Sequence, residues 1–361
     1  MAANHRKVLM RNFSKISVSL IAVSALALSA CSSGSSDSGD KKAAVSKRAC
    51  IILPDADSGT RWEPGDRPAL EGALTAAGFE ADIQNAQSDT AKYATIADQQ
   101  MSKGCGVMIL VDYQGAGVAV ATKAKASGIP VIAYDRPIAG ADYYVSFDNT
   151  RVGEMQGQTI LDGLAAAGKD ATKASIVYSS GDPADGNAKM FYDGAVSVLT
   201  AAGAKPAFEM AGTWDGPKAG TLFEQAFTKL GGKIDAVLAP NDNNAANIIA
   251  ILDKNGMTVP ISGQDASVAG LQNVLLGKQT ATVYKPFKVE ADAASKLAIQ
   301  ILNGETPTVS KKLDDGTPFV ALDPILVGAD KVKDVVSAGD AKAADICTDA
   351  VAEACAKYGI Q

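Results

Sequence analysis

The chain has 361 residues, of which 34 are Lys or Arg and 40 are Asp or Glu, for a formal net charge of −6. That acidic balance excludes the basic face a nucleic-acid partner would need. The one histidine, His5, falls in a segment read below as cleaved, so Ser-His-Asp triads, Cys-His pairs and imidazole metal ligands are excluded from the working chain.

Arg6, Lys7, Arg11 and Lys15 form a basic start, followed by the apolar run "ISVSLIAVSALALSA". This is the layout of a secretory signal over residues 1–30. It ends in "LSAC", which resembles a bacterial lipobox and predicts acylation of Cys31; an ordinary signal with a chance cysteine is the alternative. Residues 31–48, polar and Gly/Ser-rich, read as a flexible tether. No later apolar run is long enough to span a bilayer. The expected product is exported and lipid-anchored on the extracytoplasmic face of the cell membrane, at the cell surface or in the periplasm. Loss of residues 1–30 removes four Lys/Arg and no acid, taking −6 to −10. The folded part that follows the tether, about 310 residues, exceeds one comfortable core and predicts two domains.

From residue 50 onward, apolar β-rich runs alternate with Ala-rich helical stretches. Predicted strands are "CIILPD" at 50, "EADIQNA" at 80, "VMILVD" at 107, "PVIAYD" at 130, "YYVSFD" at 143, "ASIVYSS" at 174, "KPAFEMAG" at 205, "DAVLAP" at 235, "PISGQD" at 260 and "TATVYKP" at 280. Between them lie helical stretches such as "PALEGALTAAG", "VAVATKAKASG" and "NAANIIAILDKNG", several closed by Gly-containing turns. Continuous apolar strands between helices imply parallel sheets covered on both faces. Residues 50–145 and 174–285 each supply about four such units, which predicts an α/β protein of two doubly wound parallel-sheet domains.

Beyond Cys31 there remain Cys50, Cys105, Cys347 and Cys355, an even number in an exported chain, which favours two disulfides; four free buried thiols are the alternative. Cys50 and Cys105 open predicted strands and are close enough to bridge if those strands are parallel neighbours. Cys347 and Cys355 would be roughly 12 Å apart along a straight helix, too far for a disulfide, so a bridge there requires a bend.

Ligands of open parallel sheets bind at the C-terminal strand ends, and polar residues concentrate there: "DADSGTRWEPGDR", "DRP", "GDPADGNAK", "TWDG", "NDNN", "QDA" and "KP". A sugar suits this set. Each hydroxyl both donates and accepts, so Asp and Asn take its proton while Arg, Lys and Asn donate to its lone pairs. The apolar face of the ring wants an aromatic, and both tryptophans, Trp62 and Trp214, fall in these loops.

The ordered elements "RW", "YDR", "SFDN", "ADGNAK", "ND", "SGQD" and "VYKP" resemble those of the periplasmic sugar-binding proteins of bacterial ABC importers, most nearly the D-xylose-binding proteins, over about residues 50–330. The resemblance implies two lobes joined by a three-strand hinge and closing on a monosaccharide, with D-xylose the first choice. The first lobe would be 50–146 plus 286–322, the second 147–285 plus 323–345, and 346–361 a C-terminal extension. Implied contacts are Arg61, Trp62, Asp135 and Arg136 from the first lobe, Asp185, Asn187, Trp214, Asn241 and Asp265 from the second, and Lys285 at a crossover. Gly186 stands where the family motif has Asn, and the loop around Trp214 is short, leaving that residue either a ring-stacking or a packing role. No cofactor or metal is implied. The implied partners are the sugar and an ABC permease, and the protein is expected to be a monomer.

Each residue also has a plainer reading. Asp135–Arg136 can be a salt bridge tying a loop, Asn241 and Asp265 helix N-caps, Lys285 a solvated hinge residue, and Arg61–Trp62 loop packing. Phe147, Asp148 and Asn149 read as a crossover. Two other functions share parts of the pattern: a sensory module presenting bound sugar to a receptor, and a glycosidase using paired carboxylates such as Asp135 and Asp265. No nucleophile elbow or metal motif supports the second.

Overall fold

A computed structural model describes residues 46–55 and 61–361. The predicted signal, the predicted acylation site Cys31 and the tether up to residue 45 lie outside the described residues. The tether's last predicted residue belongs instead to the fold, because the first strand already begins at Arg48.

The elements of the first lobe are β1 (Arg48–Leu53), α1 (Arg67–Ala76), β2 (Glu80–Asn85), α2 (Thr90–Lys103), β3 (Val107–Leu110), α3 (Ala116–Ala126), β4 (Val131–Tyr134) and β5 (Tyr143–Phe147). The second lobe follows with α4 (Asn149–Ala166), β6 (Ile176–Tyr178), α5 (Gly186–Ala201), β7 (Pro206–Glu209), α6 (Gly216–Lys229), β8 (Ala236–Leu238), α7 (Asp242–Lys254), α8 (Val268–Leu275) and β9 (Thr282–Tyr284). The chain then returns through α9 (Phe287–Leu302), β10 (Lys311–Lys312) and β11 (Pro318–Leu322) to the first lobe. It ends on the second with β12 (Ile325–Val327), α10 (Val332–Ala338), α11 (Ala343–Ile346) and α12 (Ala352–Tyr358).

The first sheet has the order β10-β11-β5-β4-β3-β1-β2, parallel except at the β10–β11 hairpin. Its apolar runs are continuous because both faces are covered. Ala49, Ile51 and Leu53 point into one cluster with α1 and α9, while Cys50 and Ile52 point into another with α2 and α3. In the second lobe β7-β6-β8 form a parallel sheet. Val177 and Val237 pack towards α6 and α7 there, and Ile176, Tyr178, Ala236 and Leu238 towards α4 and α5. The predicted strand at 260 is not a ladder: it makes two isolated bridges, Val237 to Ile261 and Gln264 to Val283. Gly263 lies in this segment at a point where a side chain would strike Asp242 and Gln279. An antiparallel pair, β9 with β12, closes the hinge side. Among the described residues the chain crosses between lobes at 147–149, 284–287 and 322–325.

The two pairs of cysteines are disulfide-bonded, Cys50 to Cys105 and Cys347 to Cys355. The first closes because β1 and β3 are parallel neighbours. The second closes because the helix stops at Cys347 and restarts at Ala352, bringing the two Cα atoms to 5.9 Å. The C-terminal extension is part of the second lobe's packing, since Ile346, Val351, Cys355 and Ile360 share a cluster with Leu271, Val274 and Tyr284.

Helices α4 and α5 approach so closely that glycine is required on both. A Cβ on Gly153 would lie 2.0 Å from the Phe191 carbonyl oxygen, and one on Gly194 2.2 Å from that of Thr150. Because the obstacle is backbone, the helices must part to admit a methyl group. Gly153→Ala is therefore expected to lower the unfolding free energy by about 1–3 kcal/mol in urea titration. Gly72→Ala, on an exposed position of α1 with open space around it, is expected to be neutral or to stabilise by up to about 1 kcal/mol.

Candidate functional site

The C-terminal ends of the parallel strands in both lobes face one another across a cleft, and the helices that follow begin there. This fixes the chemistry of the rim. Asp185 is the N-cap of α5, accepting from the Asn187 N–H at 2.9 Å, and Asn241 caps α7 through the Asn244 N–H, also at 2.9 Å. A carboxylate or amide at a cap retains lone pairs or donors for a second partner. The cap reading thus holds for Asn241, but not for Asp265: Ser267 caps α8, and Asp265 stands in a left-handed turn at φ 92°.

Arg61 lies on a wide helical turn after β1 and is surrounded by acids. Its Nε and Nη2 grip the two oxygens of Asp66 at 2.8 and 2.6 Å, Nη2 also reaches Glu290 at 2.7 Å, and Nη1 reaches Asp135 at 3.1 Å. Tyr134 donates its hydroxyl to Asp66. Trp62 is 3% exposed, with the guanidinium carbons of Arg61 and Arg136 at 4.7 and 5.7 Å from its ring centre.

Asp135 follows β4 with φ 61°, a conformation disfavoured for any residue with a Cβ. Its own backbone contacts hold it there. Its N–H donates to the Val145 carbonyl, and its carbonyl accepts from Tyr144 Oη and Ser146 Oγ at 2.9 Å and from Asn187 Nδ2 at 2.8 Å. Asn187 belongs to the second lobe, and its Oδ1 in turn accepts from Tyr144 Oη and Asn149 Nδ2. Arg136 also crosses the cleft: its Nε is 3.4 Å from Asp185 Oδ2 and 4.0 Å from Asp135 Oδ2, while Nη1 donates to the Asp112 carbonyl at 2.9 Å. The Asp135–Arg136 contact is thus the longest of these, and each residue is paired more closely elsewhere.

Lys285, on the second crossover, pairs with Asp265 at 3.1 Å and stands 5.2 Å from the ring centre of Phe191. Its side chain is 10% exposed, so it is not a solvated hinge residue. Trp214 donates Nε1 to Asp185 at 3.2 Å and meets Phe191 edge-on.

The buried charges shift one another. Burial raises the Glu290 carboxyl well above the usual range; Arg61 opposes this, and Asp135 and Asp66 reinforce it. Burial likewise raises Asp185 against the pull of Arg136. Burial opposes the charge on Lys285, but Asp265 and Asp135 outweigh it and hold the ammonium above its ordinary value. Asp242, beside Asn241, is pushed by burial to about 7, opposed by Gln279 and Thr282 and reinforced by Asp265. Among the described residues no group of His, Cys, Asp or Glu has an arrangement that could hold a metal ion.

Of the ten residues expected to contact ligand, the structure brings Arg61, Trp62, Asp135, Arg136, Asp185, Asn187 and Trp214 into one contact network, and joins Lys285 to Asp265 beside it. Asn241 lies next to Asp242, whose N–H donates to the Gln264 carbonyl just before Asp265. Sequence reasoning missed Asp66, Glu290, Tyr134, Tyr144, Asn149 and Asp242. Asp66 had a local signal, five residues after Arg61 on the same turn; Glu290 had none. The cleft-facing members of this network, Asp135, Arg136 and Asp185, are acceptor and donor types that match hydroxyl groups.

A buried acid with a raised pKa stabilises the fold while protonated. Asp242 moves from 3.8 to about 7, so its contribution is complete below pH 4 and disappears as pH rises through 7. The unfolding free energy from urea titration is expected to fall between pH 5 and 7 by up to about 1.4 kcal/mol per pH unit, and Asp242→Asn to flatten that slope whatever its effect on absolute stability.

Comparison with known proteins agrees with the geometry. Residues 50–306 match the family model described as a periplasmic binding protein domain. The chain is 33% identical over 289 residues to the D-xylose-binding periplasmic protein of Escherichia coli K12, covering 76% of this chain and 85% of that one. It superimposes on a carbohydrate transporter solute-binding protein from Chloroflexus aurantiacus in complex with D-glucose (TM-score 0.73, 28% identity, 82% of this chain and 97% of that one). It also superimposes on an ABC transporter solute-binding protein from Clostridium phytofermentans with bound β-D-glucose (TM-score 0.74, 27% identity, 83% and 99%). These relatives bind solutes and are not enzymes. With strand ends of two parallel-sheet lobes facing across a cleft and three crossovers behind it, the chain belongs to the periplasmic binding protein family and has its type I fold.

Proposed function

We propose that the protein is an exported, lipid-anchored sugar receptor of an ABC importer, capturing one monosaccharide between its lobes and delivering it to the permease. The observation that carries this reading is the pairing of Arg136 from the first lobe with Asp185 from the second at 3.4 Å. The cleft walls meet through the donor and acceptor types that vicinal hydroxyls satisfy. Arg61, Asp135, Arg136, Asp185, Asn187, Asn241, Asp265 and Lys285 supply polar contacts, and Trp62 and Trp214 the apolar ones. D-xylose is the first candidate, supported by the relative from Escherichia coli; glucose is the second, supported by the two liganded structures. Closure about the three crossovers would trap the sugar and create the form the permease recognises. A receptor that reads the same closed form would make the protein a sensor as well.

Calorimetric titration of residues 32–361 with xylose, glucose, ribose, arabinose and galactose tests the function. One-to-one binding of xylose is expected, weakened by about 1.5–3 kcal/mol in Asp265→Ala, which removes a charged hydrogen-bond partner. Tight binding of another of these sugars keeps the class and changes the ligand, and binding of none rejects the reading. For the anchor, labelled palmitate is expected to enter the full-length chain expressed in a bacterium and to be absent from Cys31→Ser.

A further inference from the structure

Asp265 is a proposed sugar contact whose own side chain is held lightly. The carboxylate is 45% exposed and pairs with Lys285 at 3.1 Å. Its direction is therefore set by its backbone, and that backbone is unusual. Asp265 and Ala266 have φ of 92° and 49°, two consecutive residues with a Cβ in a region that sterics disfavour. Strain of this kind persists only where the surroundings over-determine it.

Those surroundings converge on one buried carboxylate. Asp242, the first residue of α7, is 1% exposed. Its N–H donates to the Gln264 carbonyl at 3.1 Å. Its Oδ2 accepts from the Ser267 N–H at 2.9 Å, and Thr282 Oγ1 lies 2.8 and 3.0 Å from its two oxygens. The same Thr282 hydroxyl accepts from the Ala266 N–H at 3.2 Å, so its single proton goes to Asp242. Asp265 donates its own N–H to the Val283 carbonyl of β9 at 2.8 Å. Residues 264, 266 and 267 are thus tied to Asp242, either directly or by way of Thr282.

The carboxylate itself has one place to sit. Gln279 Nε2 donates to Oδ1 at 2.8 Å. A Cβ on Gly263 would lie 2.3 Å from Oδ1, and one on Gly270 2.1 Å from Oδ2. Glycines on the segment before the turn and on α8 therefore admit the carboxylate, and donors from outside α7 fix its orientation. An acid in a first helical turn serves the helix dipole just as well in solvent. Burying it costs free energy, and the donors that offset that cost belong to the turn, to β9 and to Gln279.

We propose that Asp242 is a positioning residue of the sugar site, its carboxylate holding residues 264–267 in the strained turn that aims Asp265 into the cleft. This rests on the reading of Asp265 as a sugar contact and names what sets the strength of that contact. The test is calorimetry of residues 32–361 with the five monosaccharides, repeated on Asp242→Asn, Thr282→Val, Thr282→Ser, Asp265→Ala and Asp265→Ala/Thr282→Val. The amide of Asp242→Asn turns its NH2 towards either the Ser267 N–H or the Gln279 amide, and valine removes the hydroxyl between Ala266 and Asp242. Each of these two variants is expected to weaken the bound sugar at least fivefold, and Thr282→Ser, which keeps the hydroxyl, to restore the affinity. Without the Asp265 carboxylate nothing is left to aim, so adding Thr282→Val to Asp265→Ala should cost less than a further twofold. Affinity within twofold of the unaltered protein in both Asp242→Asn and Thr282→Val overturns the proposal and leaves the sugar-binding function standing. A loss from Thr282→Val as large without Asp265 as with it also overturns it, since Asp242 then acts on the lobe as a whole. If Asp242→Asn does not fold, the two Thr282 variants decide by the same criteria. Failure of every sugar to bind the unaltered protein removes the sugar reading and the role of Asp242 together.

Discussion

Arg61 is in direct contact with three acids, Asp66, Glu290 and Asp135, at the base of the cleft. Two of those acids, Asp66 and Glu290, have fully buried side chains. Burying three carboxylates is tolerable only if an opposite charge with several donors reaches all of them, and a planar guanidinium is the side chain that does so. Lys285 adds a second positive charge close enough to be raised by Asp135. The remaining excess of negative charge is relieved by holding Glu290 near its protonated form. The result is that Asp135, the acid of this group nearest the cleft, is aimed by contacts beneath it rather than by solvent.

The same economy recurs at the lobe boundary. Asp185 ends a loop, starts a helix, receives the Trp214 indole N–H and faces Arg136. Asn187 uses both ends of its amide, donating to the first lobe and accepting from Tyr144 and Asn149. Because fold-building and cleft-facing bonds share side chains, a substitution here changes the geometry of the second partner even when the helix survives.

Strands such as "VIAYD" and "CIILPD" were legible because a doubly covered parallel strand must be apolar on both faces. The site's "RW", "YDR" and "VYKP" were legible because charges at strand ends need a reason to be there. Glu290 was not: within "KVEADAA" it looks like any solvated helix acid, and only the return of α9 under β1 and β4 turns it inward against Arg61. Asn149 and Tyr144 are hidden in the same way, since their partner Asn187 is 38 and 43 residues away. The segment at 260 reads as a strand from its composition, but it makes two isolated bridges rather than a ladder.

The order in which the lobes can be completed follows from the returning segment. The second lobe's three-stranded parallel sheet and helices α4 to α8 come from one uninterrupted stretch, to which the C-terminus adds β12 and α10 to α12. The first lobe takes α9 and β11 from more than 130 residues beyond β5. Until α9 arrives, the face carrying Ile51, Leu53, Ile109 and Ile132 has α1 but not α9 to cover it, and until β11 pairs with β5, β5 is a bare sheet edge. A chain emerging from its N-terminus therefore exposes an unfinished first lobe while the second assembles from neighbouring segments. The late closure of the first lobe makes residues 287–322 the segment on which its escape from aggregation depends.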